Sequence, residues 1–331
     1  MRLEVGTVTS AHGGPDALGV PRWDFSTNAN ACGPCPWALA AVQQADARHY
    51  PDPAYTALRE SLAAFHAVDA ERIVMACSAS EFVHRFTSWV AREGGQRVWL
   101  PTRAYGDYAQ AAQAWRLTPT QDPTQAQLAW LCEPSSPLGQ AEPLAQGVAA
   151  SDAQVVIDRA YEPLRLSGRC SLGPETLQQV WQLWTPNKAM GLTGVRGAYA
   201  IAPVDGSAQA RALDQLAPSW PLGAHAVALL GAWVSPTAQD WLAQSLQTLR
   251  AWKREQLNLL ADLGWRSLPS DANYVCAAPP SPCDPSALRS AGIKLRDTTS
   301  FGLPGHWRLG VLAPQAQAAL QKALREQERV A

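Results

Sequence analysis

The sequence predicts an α/β fold: a large, mostly parallel sheet sandwiched by helices, with a smaller α/β domain beside it. Six short apolar runs carry the first part of that reading, Ile73 to Ala76, Val98 to Leu100, Leu128 to Cys132, Val155 to Asp158, Val180 to Trp184 and Tyr199 to Ile201. Runs of this length, separated by helix-length segments, suit strands buried on both faces. The second observation is size, since 331 residues exceed what a single core fills and favour two lobes. The third is composition, 47% hydrophobic and 17% charged, which is that of a globular chain.

In chain order, residues 1–45 are expected to form an arm with part of the small domain, 46–235 the large domain, and 236–331 a linking helix with the rest of the small domain. The opening, through His12-Gly13-Gly14 to Asn30, is rich in Gly, Pro and Asn and reads as irregular. A helix is expected from Trp37 to Ala45, and a stronger one from Tyr55 to Phe65 after the break at His49-Tyr50-Pro51-Asp52-Pro53. Another runs from the small-residue turn Cys77-Ser78-Ala79-Ser80 to Val90. Past Ile201 the chain is mostly helical to Leu263, with interruptions near Pro218 and Pro236. The end alternates strand and helix: Asn273 to Cys276, Pro285 to Ala291, Ile293 to Asp297, His306 to Val311, then a helix from Pro314.

In a parallel sheet ligands bind beyond the carboxyl ends of the strands, and the residues with chemistry cluster there. Val180 to Trp184 is followed by Thr185-Pro186-Asn187-Lys188-Ala189-Met190-Gly191-Leu192-Thr193-Gly194-Val195-Arg196-Gly197. A Lys just past a buried strand is a candidate amine for imine chemistry, because partial desolvation favours the neutral, nucleophilic form. Thr185 and Arg196 flank it, a hydroxyl and a planar cation able to grip a phosphate. This layout suits a pyridoxal phosphate site, although by itself it also suits a strand-to-loop junction with a solvated Lys. Asp158, ending Val-Val-Ile, is a carboxylate at a buried sheet edge that needs a cation or hydrogen bonds, and a protonated pyridine nitrogen would serve. The turn at Ser80 is either an anion site or an ordinary helix cap. Tyr105 could stack on a flat cofactor.

Composition excludes other classes. A formal net charge of -1 leaves no basic footprint for nucleic acid or an anionic membrane, and no run approaches 18 apolar residues. The first residues lack the apolar stretch of a secretory signal, so a cytoplasmic enzyme is expected, with no metal site. Seven scattered cysteines fit reduced thiols. Cys32-Gly33-Pro34-Cys35 has the spacing of a redox dithiol, yet lacks the preceding apolar strand and also reads as a Pro-rich turn entering a helix.

On these residues the chain resembles, over nearly its full length, the aspartate-aminotransferase-like fold type I enzymes that use pyridoxal phosphate. Thr185-x-x-Lys188 with Gly191-Leu192-x-Gly194-x-Arg196 matches that family's Schiff-base motif, and Asp158-x-Ala160-Tyr161 its Asp-x-Ala-Tyr. Within it, His12-Gly13-Gly14, Asp24-Phe25-Ser26-x-Asn28-x-Asn30 and Tyr50-Pro51-Asp52-Pro53 look more like threonine-phosphate decarboxylase of cobalamin synthesis than like histidinol-phosphate aminotransferase. The resemblance implies a homodimer acting on a small, phosphorylated amino acid, by decarboxylation or, as the alternative, by transamination. A catalytically silent cofactor-binding relative is a further reading. The resemblance also implies roles. Lys188 carries the cofactor, Asp158 pairs with its ring nitrogen, and Tyr161 donates to its ring oxygen. Ser80, the adjacent amides of Ser78 and Ala79, Thr185 and Arg196 take the phosphate, Tyr105 stacks on the ring, and Tyr50 reaches the neighbouring subunit's phosphate. Asn28, Asn30 and Arg308 meet the substrate. Three positions depart from the family: Ser136 stands where an Asn bonds the ring oxygen, Arg159 where Glu is usual, and Cys77-Ser78 where the phosphate turn is Gly-rich.

Overall fold

In the computed structural model, which describes residues 13–328, the expected strands form with boundaries shifted by at most a residue or two, and His12 lies outside the described residues. Among those residues a seven-stranded sheet has the order Ile73–Ala76, Ala198–Ile201, Trp181–Trp184, Gln154–Asp158, Leu128–Cys132, Arg97–Trp99, Thr118–Thr120. Six of these strands run parallel, and Ala198–Ile201 is antiparallel to both of its neighbours. The strand Thr118–Thr120 has no counterpart in the sequence reading. It holds Pro119, is largely exposed, and borders only one other strand, the edge position that tolerates a residue without an N–H.

Strand alternation divides the buried side chains between two layers. Val98, Leu128, Trp130, Val156, Trp181 and Leu183 face one way and pack with Phe82 and Phe86 of the helix Ala79–Arg92. Ala129, Leu131, Val155 and Ile157 face the other way and pack with Val148 and Leu172. The central three strands are buried almost throughout, which is why none of them shows a polar alternation in sequence.

A four-stranded sheet has the order Arg296–Asp297, Trp307–Gly310, Tyr274–Ala278, Arg266–Ser267, and its pairings are antiparallel. Phe25 enters its core with Leu260, Leu309 and Leu320, and Trp23–Asp24 pairs with Ile293–Lys294. The helix Pro36–Gln43 packs on the helix Ala224–Trp233 at the large sheet. Asp16 holds the chain after Gly14 onto the helix Pro285–Ser290 and the strand Ile293–Lys294 through Arg289 at 2.9 Å and Lys294 at 3.0 Å. No helix of the described residues is long and apolar enough to cross a membrane.

The long helix Pro236–Asp262 joins the two sheets, and its buried Lys253 donates to the carbonyls of Ser270 and Ala272, the latter at 2.7 Å. Burial pushes this ammonium down to about 8 from an ordinary 10.5. The unfolded chain therefore binds more protons than the folded one between those values, and the penalty for the buried charge is relieved as pH rises through the window. Compared with Lys253→Met, wild-type protein should gain on the order of 2–4 kcal/mol from about pH 7 to about pH 11. Urea denaturation of both proteins across that range measures it, and a pH-independent difference would contradict the assignment.

Candidate active site

The strand Trp181–Trp184 ends at the carboxyl edge of the large sheet and hands the chain to the Lys188 loop. Buried Asn187 folds that loop back, its Nδ2 donating to the carbonyls of Thr193 and Val195 at 3.4 and 3.3 Å, so that Arg196 returns to the same cavity as Lys188. A second turn braces it from below. Asn30 N–H donates to the Lys188 carbonyl at 2.9 Å, and Cys35 N–H to the Met190 carbonyl at 2.9 Å. Gly33 and Gly191 meet so closely that a Cβ on either would stand 3.1 Å from the other's Cα, and Gly191 has a φ of +68°.

That contact accounts for Cys32-Gly33-Pro34-Cys35. Its glycine and its amide serve packing against the Lys188 loop, Cys35 is buried in the core, and burial pushes the Cys32 thiol up to about 11. A thiol so protonated is a poor nucleophile, so the dithiol reading fails. Asn30 braces the same loop. Its Nδ2 donates to the Ala189 carbonyl and Ser245 Oγ, and its Oδ1 accepts from Cys32 N–H. With those groups engaged and the residue outside the cavity, it supports the Lys188 loop.

Asp158 closes the strand Gln154–Asp158 and is only 4% exposed. Its Oδ2 accepts from the Tyr108 hydroxyl at 2.8 Å and its Oδ1 from Ala160 N–H at 2.9 Å. Burial raises its pKa, while those two donors and the Lys188 ammonium act against the rise. Nothing in the sequence singles out Tyr108, which reads there as one more tyrosine in a turn. The Lys188 amine stands 5.3 Å from the centre of the Tyr161 ring, and the Tyr161 hydroxyl accepts from Asn28 Nδ2 at 3.3 Å.

At the neighbouring strand end, Ser78 rather than Ser80 caps the helix Ala79–Arg92, accepting from Glu81 N–H at 3.1 Å. Ser80 is thereby free to face the cavity, where its hydroxyl lies 3.1 Å from that of Tyr105. Burial pushes the Tyr105 phenol up, so it remains a neutral donor. Thr185 Oγ1 is buried without a partner, and Arg196 makes no ion pair among the described residues. Tyr50 lies apart, 77% exposed and stacked on Trp220 with ring centres 4.4 Å apart.

The small sheet supplies the remaining wall. Arg308 and Arg296 are register partners across an antiparallel pair and are 6% and 7% exposed. Neither has a carboxylate partner among the described residues. Arg308 donates to Ser136 Oγ at 3.0 Å and to the Ser26 carbonyl at 3.1 Å, and Arg296 to Ser300 Oγ at 2.8 Å. Aromatic rings fill the spaces between: Arg308 lies 5.6 Å from Tyr274 and 5.8 Å from Phe301, and Arg296 lies 4.9 Å from Phe301. Burial, and then the charge of Arg308, lowers the pKa of Arg296. Sequence reasoning missed Arg296. The alternation Ile293-Lys294-Leu295-Arg296 marks a strand and was the available signal, but it does not say which strand lies opposite.

The site residues read from the sequence, except Tyr50 and Asn30, line one cavity of about 540 Å³ together with Arg296. An amine, a buried carboxylate, unpartnered Thr185 Oγ1 and Asn28 Oδ1, and cations without counter-charges fit a ligand bearing an aldehyde, a basic ring nitrogen and a phosphate. Comparison with known proteins decides the family. A model described as aminotransferase class I and II matches residues 23–326. The chain belongs to that family. It is a pyridoxal-phosphate-dependent enzyme with the aspartate-aminotransferase-like fold. It is 29% identical over 313 residues to histidinol-phosphate aminotransferase of Halorubrum lacusprofundi, covering 86% of this chain and 83% of that one. Among solved structures it resembles histidinol-phosphate aminotransferase of Sinorhizobium meliloti in complex with pyridoxal-5'-phosphate, with a TM-score of 0.74, 23% identity and coverage of 92% and 90%. L-threonine-O-3-phosphate decarboxylase of Porphyromonas gingivalis is similar in fold, with a TM-score of 0.77, 19% identity and coverage of 92% and 99%.

Proposed function

We propose that the protein is an aminotransferase acting on a small amine that carries an anionic group, of the histidinol phosphate type. The observation that carries this reading is the single cavity in which the Lys188 amine, the buried Asp158 carboxylate and the paired Arg296 and Arg308 all stand. Transamination is preferred to threonine-phosphate decarboxylation because sequence relatives at 25–29% identity are named histidinol-phosphate aminotransferases. The decarboxylase supports the reading only through its fold, at 19% identity.

Pyridoxal phosphate, when bound, supplies an aldehyde for amines and a protonated ring that withdraws electrons. In the proposed site Lys188 Nζ would hold the cofactor, and the same amine, when free, would move a proton at the substrate's Cα. Asp158 would pair with the ring nitrogen, Tyr161 would donate to the ring oxygen, and Tyr105 would cover the ring. Ser80, the amides of Ser78 and Ala79, Thr185 and Arg196 hold the phosphate. Asn28 orients Tyr161, and Arg308 with Arg296 takes the substrate's anion. Ser136 is shorter than the Asn it replaces and its hydroxyl accepts from Arg308, so it serves the anion site. The working unit is a homodimer in which Tyr50, exposed and outside its own cavity, completes the partner's phosphate cradle.

Transamination of histidinol phosphate should convert the bound cofactor to its amine form, with loss of visible absorbance that 2-oxoglutarate restores. Lys188→Ala should lose both the visible band and turnover. Carbon dioxide release from threonine phosphate, without any dependence on an oxo acid, would overturn transamination in favour of decarboxylation. A shared site also requires that the monomer be inactive, which active-enzyme sedimentation can measure. Arg308→Ala should lower kcat/KM by roughly one and a half to three and a half decades, because removing one partner of a buried charge contact costs about 2–5 kcal/mol. Its cofactor absorbance should be unchanged, and near-wild-type kcat/KM would return Arg308 to a structural role.

A further inference from the structure

We propose that Tyr108 is a positioning residue for the cofactor ring, holding the Asp158 carboxylate charged and oriented toward the ring nitrogen. The inference rests on the assignment of Asp158 made above and adds to it a residue that the motif does not contain. Tyr108 belongs to the helix Gly106–Ala114 and is fully buried. Its ring is clamped, stacked on Trp130 with centres 4.8 Å apart and planes 6° from parallel, and set edge-on to Tyr105 at 5.7 Å. The hydroxyl has no freedom to wander and donates to Asp158 Oδ2 at 2.8 Å.

The groups facing Asp158 divide by their effect on its charge. Ala160 N–H and the Lys188 ammonium favour the carboxylate, as Tyr108 does. Asp107 opposes it, and burial opposes it most. The Cys132 thiol and the Tyr105 phenol also interact with it, and burial pushes both upward, so they stay neutral. Burial also pushes the Tyr108 phenol well up, so the proton of the hydrogen bond stays on tyrosine and the charge stays on Asp158. With one charge-assisted hydrogen bond removed from a dry site, Asp158 should bind its proton more tightly. A protonated Asp158 no longer pairs with a protonated ring.

Tyr108→Phe removes the hydroxyl and keeps the ring stack, so it separates the hydrogen bond from packing. Pyridoxal phosphate is titrated into apoprotein of wild type, Tyr108→Phe, Asp158→Asn and the double variant at several pH values, and thermal unfolding of each is recorded. Tyr108→Phe should weaken cofactor binding roughly ten- to a hundredfold, as expected for a hydrogen bond to a charged group. The pH below which affinity falls should rise by about one unit or more. Asp158→Asn should weaken binding further, and the double variant should be no weaker than Asp158→Asn alone. Wild-type affinity and pH dependence in Tyr108→Phe would overturn the proposal while leaving Asp158 in the site. Losses that add in the double variant, or a lowered Tm with no shift in pH dependence, would also overturn it. Wild-type affinity in Asp158→Asn would remove Asp158 from the site and the proposal with it.

Discussion

Asp158, Arg296 and Arg308 are buried in one cleft without an ion pair among the described residues, and the site follows from how that is tolerated. Asp158, Arg308 and Arg296 are each less than a tenth exposed, and removing such an ion from water costs on the order of several kcal/mol even after relaxation. The chain answers with neutral partners: a phenol and an amide for Asp158, a hydroxyl, a carbonyl and aromatic faces for the arginines. In the proposed site ligand completes these charges, so cofactor and substrate would stabilise the folded protein by mass action as well as filling the site.

The sheet makes this arrangement possible because alternation sends consecutive residues to opposite faces. Asp158 points to the side of Tyr108 and Trp130, while Arg159 lies 4.6 Å from the Trp184 ring and donates to Gln182 on the adjoining strand. Arg159, which replaces the family's Glu, thus ties together the two strand ends that carry Asp158 and Thr185. The departure from the family motif at this position falls behind the cavity floor and not within it.

What could be read from sequence was whatever is encoded along one segment. Buried strands appear as apolar runs, and Thr185, Lys188 and Arg196 lie within one loop whose turn residues are visible as Gly191 and Gly194. What could not be read is whatever depends on register or on the far side of a contact. Arg296 reaches the site because an antiparallel pairing sets it opposite Arg308, and nothing near residue 296 states that pairing. Tyr108 matters because Trp130 and Asp158, distant in sequence, form its surroundings. Asn30 reads like Asn28, two residues away, yet the arm turns between them and commits one to the Lys188 loop and the other to Tyr161. Thr118–Thr120 escaped because an exposed edge strand needs no apolar run.

In the proposed site the substrate's charge would be read at the seam between the two sheets. The segment 135–139 offers Pro137 without an N–H, and its carbonyls accept from the small-sheet side: Ser135 from the Tyr274 hydroxyl at 2.7 Å, Pro137 from the Cys276 thiol at 3.1 Å, and Gly139 from Asp271 N–H at 2.7 Å. Arg308 joins the same seam through Ser136. A guanidinium has five N–H donors, and Arg308 gives one to Ser136 and one to Ser26, while its Nε has no partner. Three donors therefore remain for a ligand oxyanion after the side chain has been fixed in place. A guanidinium already held by two neutral acceptors loses little further freedom on binding, and that is what lets a buried cation serve as a recognition group rather than only as a strain on the fold.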